Sequence, residues 1–267
     1  MRYSTNKALI IGLNNFKRKT RNWQNIFYMI GFPVMFTVIF YLMFGMDPIE
    51  GTDFVTYDIS FPGMVIYATG LSCVSASIFF ATEKKEGMLE RLDSMPIGRK
   101  NLFLGFVLAE SLFAVLSTII IFLIGYGGMQ VYFDSVWALI IGFTLAVIFG
   151  IQSVGIGIII ASFSKSGEAA NGISMIYYMP VIFASGALIP FESSIVYATP
   201  PYWAKQVYFQ LTVLGHSLSD EMYSSSLIGM TVEPICIPLW GGLLIFVGLT
   251  IGLLISGIIL FQKKTQV

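Results

Sequence analysis

The sequence has few charged residues. They make up 11% of its 267 residues, whereas a soluble domain carries about a quarter. This shortage excludes an intrinsically disordered chain, a nucleic-acid-binding surface and an ordinary water-soluble enzyme. Apolar residues make up 56% and aromatic residues 15%, which indicates that lipid is the main solvent of this chain.

The residue types that build common catalytic and metal sites are scarce as well. His216 is the one histidine, so a histidine-rich metal site and a His-Glu-x-x-His zinc site are excluded. No Gly-Lys dipeptide occurs, which excludes a Walker A phosphate loop. We expect the two cysteines, Cys73 and Cys236, to be apolar packing residues. The sequence therefore predicts no catalytic residue, no metal site and no cofactor bound by this chain.

Six stretches of the chain are apolar enough, and long enough, to cross a membrane as helices. One crossing takes about 20 residues at a rise of about 1.5 Å per residue. We predict an all-α membrane protein in which residues 1–267 form a single transmembrane domain. Its six predicted spans cover residues 25–46, 60–82, 102–126, 136–163, 171–190 and 235–261.

The positions of the basic residues predict how these spans are oriented. With six spans, 14 of the 15 basic residues fall on one side of the membrane, and Lys205 is the exception. Basic residues stay on the cytoplasmic side. The chain is therefore predicted to be a multi-pass protein of the plasma membrane with both termini in the cytoplasm.

Residues 3–21 form a predicted helix that precedes the first span. Leu9, Leu13 and Phe16 recur at helical spacing, and basic residues cluster on another side. Such a helix is predicted to lie in the inner interface, with its basic face toward the lipid headgroups. The alternative is a topology signal that is helical by chance.

Residues 83–101 form a highly charged cytoplasmic loop. They contain nine charged residues, together with an apolar edge that includes Met88 and Leu92, and Pro96 ends the predicted helix. Its acidic residues disfavour lipid as the only partner, because the inner leaflet is negative. On physical grounds a protein-docking helix and a solvated loop helix both remain open.

Residues 171–201 interrupt the pattern of plain spans. Pro180, the Ser185-Gly186 pair and Pro190 break the fifth span, and the chain after it is again apolar. Irregular backbone at membrane depth needs protein or water beside it. We therefore predict an outer re-entrant element that caps a path.

Together, these segments resemble the membrane subunit of type-2 ATP-binding-cassette (ABC) exporters. Three parts of the chain carry the resemblance. They are the basic segment before Pro33 together with Phe44-Gly45, the charged loop, and the segment from Pro180 to Pro190. It implies a coupling helix that docks an ATPase through Glu83, Glu86, Gly87, Met88, Glu90, Arg91, Leu92 and Pro96. It also implies an outer re-entrant element that contains Pro180, Phe183, Ser185, Gly186 and Pro190.

The resemblance implies a permease subunit that moves a drug-, lipid- or polysaccharide-like substrate outward by alternating access. The expected partners are cytoplasmic ABC ATPase subunits, which hold the ATP and Mg, a second permease copy or homologue, and membrane lipid. Nucleic acid is not an expected partner. The chain itself is not expected to be an enzyme, because ATP hydrolysis belongs to the partner.

Two other functions are consistent with the sequence. Glu110 is an acid inside the third predicted span, where a lone carboxylate costs about 3 kcal/mol and should face a cavity or a partner. An ion-coupled secondary transporter could use it. A membrane scaffold that transports nothing is the other alternative.

Overall fold

The computed structural model describes residues 2–21, 23–44, 55–87, 99–188, 194–223 and 234–264, and they are mostly helical. The helices are α1 Arg2–Thr20, α2 Trp23–Ile26, α3 Phe32–Phe44, α4 Thr56–Gly70, α5 Ser72–Lys85, α6 Arg99–Phe122, α7 Val136–Phe163, α8 Gly167–Ala184, α9 Pro200–Thr212 and α10 Leu239–Lys264. Short π-helical segments, Phe27–Gly31 and Leu123–Gly128, precede α3 and follow α6, and the 3-10 helix Ser194–Ala198 precedes α9.

The apolar helices fit a membrane protein. Within the described residues, four helices are long and apolar enough to cross a bilayer, and Met29–Met43 is a shorter apolar helix. The four are Thr56–Lys85, Leu104–Gly128, Val136–Phe163 and Leu239–Leu260. The fifth predicted span corresponds to α8, which has 18 residues. The helical membrane class is confirmed, and the count of six spans stays a prediction.

Helix α7 lies at the centre of the bundle. It packs most extensively on α10 and α5, and it also contacts α4, α6 and α9. A helix with neighbours on several sides needs apolar residues all round, and its buried residues run from Ala138 to Ser162. Phe149 of α7 stacks on Phe246 of α10, and both side chains are fully buried.

A contact from another helix replaces the hydrogen bond that a proline next to the π-helical segment cannot donate. Pro33 has no backbone N–H, so the carbonyl of Met29 four residues earlier cannot receive the usual helical hydrogen bond. The hydroxyl of Ser117 in α6 donates to that carbonyl at 2.9 Å. An apolar environment offers no water to do this, so the contact holds the first predicted span against α6.

Helix α1 packs along the first half of α6, but with a face that differs from the predicted stripe. Leu9 and Leu13 are exposed. The packed face comprises Gly12, Asn15, Phe16 and Lys19, and the ring of Phe16 meets the ring of Phe113 at 5.9 Å. The spacing i, i+3, i+4 and i+7 is one side of a helix. The prediction that α1 lies in the membrane interface is not tested by these contacts.

The stretch after residue 191, which has too much polar character for a predicted span, contains a buried helix. Pro200 and Pro201 occupy its first turn, where a missing N–H costs nothing, and residues 201–210 of α9 are all buried. It packs on α7, α10 and α4. Residues Glu221–Tyr223 and Pro234–Pro238 pair as two antiparallel strands. Within the described part of the chain, these two strands are the exception to an otherwise helical fold.

Candidate functional site

A buried ion pair joins α1 to α6. The Lys19 ammonium pairs with the Glu110 carboxylate, and the two side chains are 4% and 0% exposed. Lys19 Nζ also donates to Ser75 Oγ at 2.8 Å, and Ser75 Oγ donates to Glu110 Oε2 at 3.1 Å. Burial lowers the pKa of Lys19, and the neighbouring Glu110 opposes that shift. The intramembrane acid predicted to need a partner therefore has one.

A second ion pair lies next to the first. Arg18, which is half exposed, pairs with buried Glu83 at the end of α5. The ring of Phe79 lies between the two bases, 4.9 Å from Lys19 Nζ and 5.6 Å from Arg18 Cζ. Cations are attracted to the face of an aromatic ring at these distances. Two consecutive residues thus attach α1 to both α5 and α6.

The residues predicted to dock an ATPase lie mostly outside the described residues. Glu83 is turned into the bundle by its contact with Arg18. Glu86 is exposed and donates its backbone N–H to the carbonyl of Thr82, and Gly87 follows with a φ of 64°. Outside the described residues lie Met88, Glu90, Arg91, Leu92 and Pro96.

The predicted outer element is a turn at the end of α8. Gly186 has a φ of 67°, a left-handed conformation that glycine adopts without steric cost. The hydroxyl of Ser185 donates to the carbonyl of Ile182 at 2.7 Å and accepts from the N–H of Ala187 at 3.3 Å. A serine followed by a glycine therefore both ends the helix and satisfies its last groups.

The other predicted residues of this element differ in their surroundings. Pro180 and Phe183 lie on the exposed side of α8, and Pro190 lies outside the described residues. Whether the element re-enters the membrane stays a prediction.

A buried lysine holds the turn at residues 185–187, called the outer turn after its predicted side of the membrane, to α9. Lys205 is 4% exposed, and its Nζ donates to the carbonyl of Gly186 at 2.7 Å. Burial lowers the pKa of Lys205 to about 8. The cation also lies at the carboxyl end of α8, where the helix dipole favours positive charge. The basic residue that violates the predicted charge distribution is therefore a structural contact of the outer turn.

A cavity of about 180 Å³ lies between the first predicted span, α4–α5 and α8. This volume is below the roughly 300–1,000 Å³ of sites that enclose a drug-sized ligand, so the cavity would hold one part of a larger molecule. Its wall is apolar, apart from a hydroxyl and an amide group. The lining residues are Met29, Phe32, Leu71, Val74, Ser75, Ile78, Asn171 and Met175.

Sequence reasoning missed three residues of these sites: Lys19, Ser75 and Lys205. A signal existed for Lys19, because it lies three residues after Phe16 and so shares the packed face of α1 rather than the solvated one. Ser75 carried no signal, since isolated serines are common in apolar helices. Within the described residues, no group of three His, Cys, Asp or Glu side chains could hold a metal ion.

Comparison with known proteins places these features in context. The family described as ABC-2 type transporter matches residues 7–211. The chain is 26% identical over 147 residues to the probable multidrug ABC transporter permease YbhR of Escherichia coli strain K12, covering 55% of this chain and 39% of the relative.

A second relative comes from a eukaryote. The chain is 26% identical over 133 residues to ABC transporter G family member 20 of Dictyostelium discoideum, covering 49% of this chain and 18% of the relative. The matched region is thus less than half the length of either curated relative.

Proposed function

The chain belongs to the ABC-2 type transporter family, and we propose that it is the membrane permease subunit of an ATP-driven exporter. A separate cytoplasmic ATPase binds ATP and Mg and performs the hydrolysis. The permease moves a drug-, lipid- or polysaccharide-like molecule outward by alternating access. The name of the bacterial relative, a probable multidrug permease, favours a drug-like cargo within that range.

The cavity between the first predicted span, α4–α5 and α8 is the observation that carries this proposal. Ligand sites are concave and mostly apolar, with a few polar groups that orient the ligand. Ser75 and Asn171 are such groups, and Phe32 and the thioethers of Met29 and Met175 offer adaptable apolar contacts. An amphipathic molecule fits this chemistry.

Helix α5 connects this cavity to the charged loop. Thr56–Lys85 forms a single apolar helical unit of 30 residues. Ser75 on the cavity wall and Lys85 at the start of the loop are ten residues apart, which corresponds to about 15 Å of helix. Movement of a docked ATPase would therefore reach the cavity wall through α5. ATP drives the cycle by binding one conformation better than the other.

Assembly as a dimer is the second part of the proposal. Apolar side chains that point away from the bundle include Leu42 of α3 and Ile176 of α8, each 77% exposed. Both helices flank the cavity. Pairing of two copies, or of a copy and a homologue, through the first and fifth predicted spans would cover these faces in the plasma membrane.

Secondary transport through Glu110 has weaker support. The carboxylate is 0% exposed and forms an ion pair with Lys19. A proton carrier needs alternate access to water, whereas a buried pair with a hydrogen-bonded neighbour favours one fixed arrangement. We assign Glu110 to the architecture around the cavity.

Removal of the apolar edge and one charge from the predicted coupling helix tests the function. Loss of a buried anchor typically costs about 2 kcal/mol of association, or roughly 30-fold in affinity. The variant Met88→Ala, Leu92→Ala, Glu90→Lys is therefore expected to lose the ATPase on co-purification and to lose substrate-stimulated ATP hydrolysis. It should insert into membranes normally, because the spans are unchanged.

The matched control is Lys165→Glu, a charge reversal at an exposed position between α7 and α8. We expect it to retain the ATPase. If the triple variant retains the ATPase and its stimulated hydrolysis at the unmutated level, residues 83–96 do not couple and the exporter proposal fails.

A further inference from the structure

Ser75 belongs to the cavity and to the buried ion pair at once. Its side chain lines the cavity, while its hydroxyl accepts from Lys19 at 2.8 Å and donates to Glu110 at 3.1 Å. Ser75 therefore connects the buried ion pair to the cavity wall.

The remaining cavity wall has no formal charge. It consists of aliphatic, aromatic and thioether groups and the amide of Asn171. Electrostatic effects are stronger in such surroundings than in water, because the local dielectric constant is lower. The charge preference of the cavity is then set by the nearest ionic groups behind Ser75.

The charges of Lys19 and Glu110 cancel each other only while α1 stays in place. Lys19 comes from α1, whereas Glu110 lies in α6 and Ser75 in α5. Of the other charges nearby, Arg18 pairs with Glu83, and the exposed Glu168, three residues before Asn171 in α8, interacts with Lys85. Without the Lys19 ammonium, the Glu110 carboxylate would lose the cation that it pairs with, and a cation in the cavity could take that place.

We propose that Lys19 is a specificity-determining residue, which neutralises Glu110 behind Ser75 and so makes the cavity select uncharged amphipathic molecules over organic cations. This rests on the proposed function, because it takes the cavity to be the cargo site. Lys19 need not touch the cargo, since it acts through Glu110 and Ser75. Its removal should convert the same cavity into one that prefers cations.

Photolabelling with three matched probes tests the proposal. The probes are benzophenones that carry a methyl group, a trimethylammonium group or a carboxylate at the same position. The full chain, with its co-purifying subunits in lipid nanodiscs, is irradiated with each probe, and labelling at Met29 and Met175 is measured by mass spectrometry. This readout needs no ATP and no transport.

We expect the wild type to label best with the neutral probe. Lys19→Met should raise the ratio of cationic to neutral labelling at least tenfold. Glu110→Gln leaves the lysine uncompensated and should raise the ratio of anionic to neutral labelling instead. The double variant has neither charge and should return to the wild-type ratios.

Two further variants separate this role from a general disturbance of the fold. Lys17→Met removes an exposed lysine of the same helix and should leave every ratio unchanged. Ser75→Asp places a carboxylate on the cavity wall itself, and it should favour the cation even if Lys19→Met fails to accumulate.

The proposal is overturned if Lys19→Met leaves the ratio of cationic to neutral labelling unchanged. If Lys19→Met does not accumulate, an unchanged ratio in Ser75→Asp overturns it. The same holds if no probe labels the cavity of the wild type. In each case, loss of the ATPase by the coupling-helix variant, with retention by its Lys165→Glu control, would leave the exporter function standing.

Discussion

Replacement of Gly63 by alanine should force α4 away from the turn that follows α8. A methyl group built at Gly63 would lie 1.6 Å from the carbonyl oxygen of Ala187, whereas such contacts essentially never fall below 3.0 Å. The two segments would have to separate by about 1.4 Å, the difference between these distances. Because the obstacle is backbone, no change of rotamer relieves it.

The expected cost follows from two opposing effects. Overpacking of a tightly packed site costs about 1–3 kcal/mol. Alanine favours a helix over glycine by about 1 kcal/mol, which offsets part of that cost. Because the obstacle is backbone, the cost lies at the upper end of its range, and we expect a net destabilisation of about 2 kcal/mol. In a chain of this size, 1 kcal/mol lowers the unfolding temperature by roughly 2–4 °C.

Thermal unfolding of the purified chain in a single detergent measures this effect. The matched control is Gly172→Ala in α8, where a methyl group would meet nothing within 4 Å. That variant should unfold at the wild-type temperature or slightly above it. If Gly63→Ala is as stable as the Gly172→Ala control, the outer turn does not pack on α4 as described.

Two further predictions concern the buried lysine and the topology. Burial lowers the pKa of Lys205 to about 8 from the ordinary 10.5. Between these two values the unfolded chain binds more protons than the folded chain. The free energy of unfolding should therefore rise with pH in this range, by up to about 1.4 kcal/mol per pH unit. Lys205→Met should lose this rise in thermal unfolding from pH 8 to 10, and an equal rise in both proteins would contradict the assignment. In a background without Cys73 and Cys236, a cysteine at Asp220 should react with an impermeant thiol reagent in intact cells and one at Lys264 should not. Reaction at Lys264 would refute a cytoplasmic carboxyl terminus.

The closing turn of α8 shows how local chemistry can be predicted from sequence. Ser185 and Gly186 stood out because a serine and a glycine interrupt an apolar run. In the structure they end the helix through a side-chain hydrogen bond and a left-handed glycine. Both effects involve residues within three positions of each other, so no distant part of the chain was needed to foresee a break.

Helix α9 shows the opposite case. The sequence alone predicts a polar, interrupted segment here, because it contains a lysine, two glutamines and two prolines. In the structure the prolines start the helix, and the lysine donates a hydrogen bond to the carbonyl of Gly186. Burial of such residues depends on partners supplied by other elements, and their arrangement is a property of the folded bundle.

By itself, the sequence determined that this is a helical membrane protein and where its apolar helices form, because transfer into lipid depends on the apolar content of each local segment. It also determined that Glu110 needs a partner. Only the tertiary structure decided that the partner is Lys19, which is 91 positions away. That choice depends on the rotation of α1 about its own axis and on its contact with α6, which pairwise spacing along the chain does not encode.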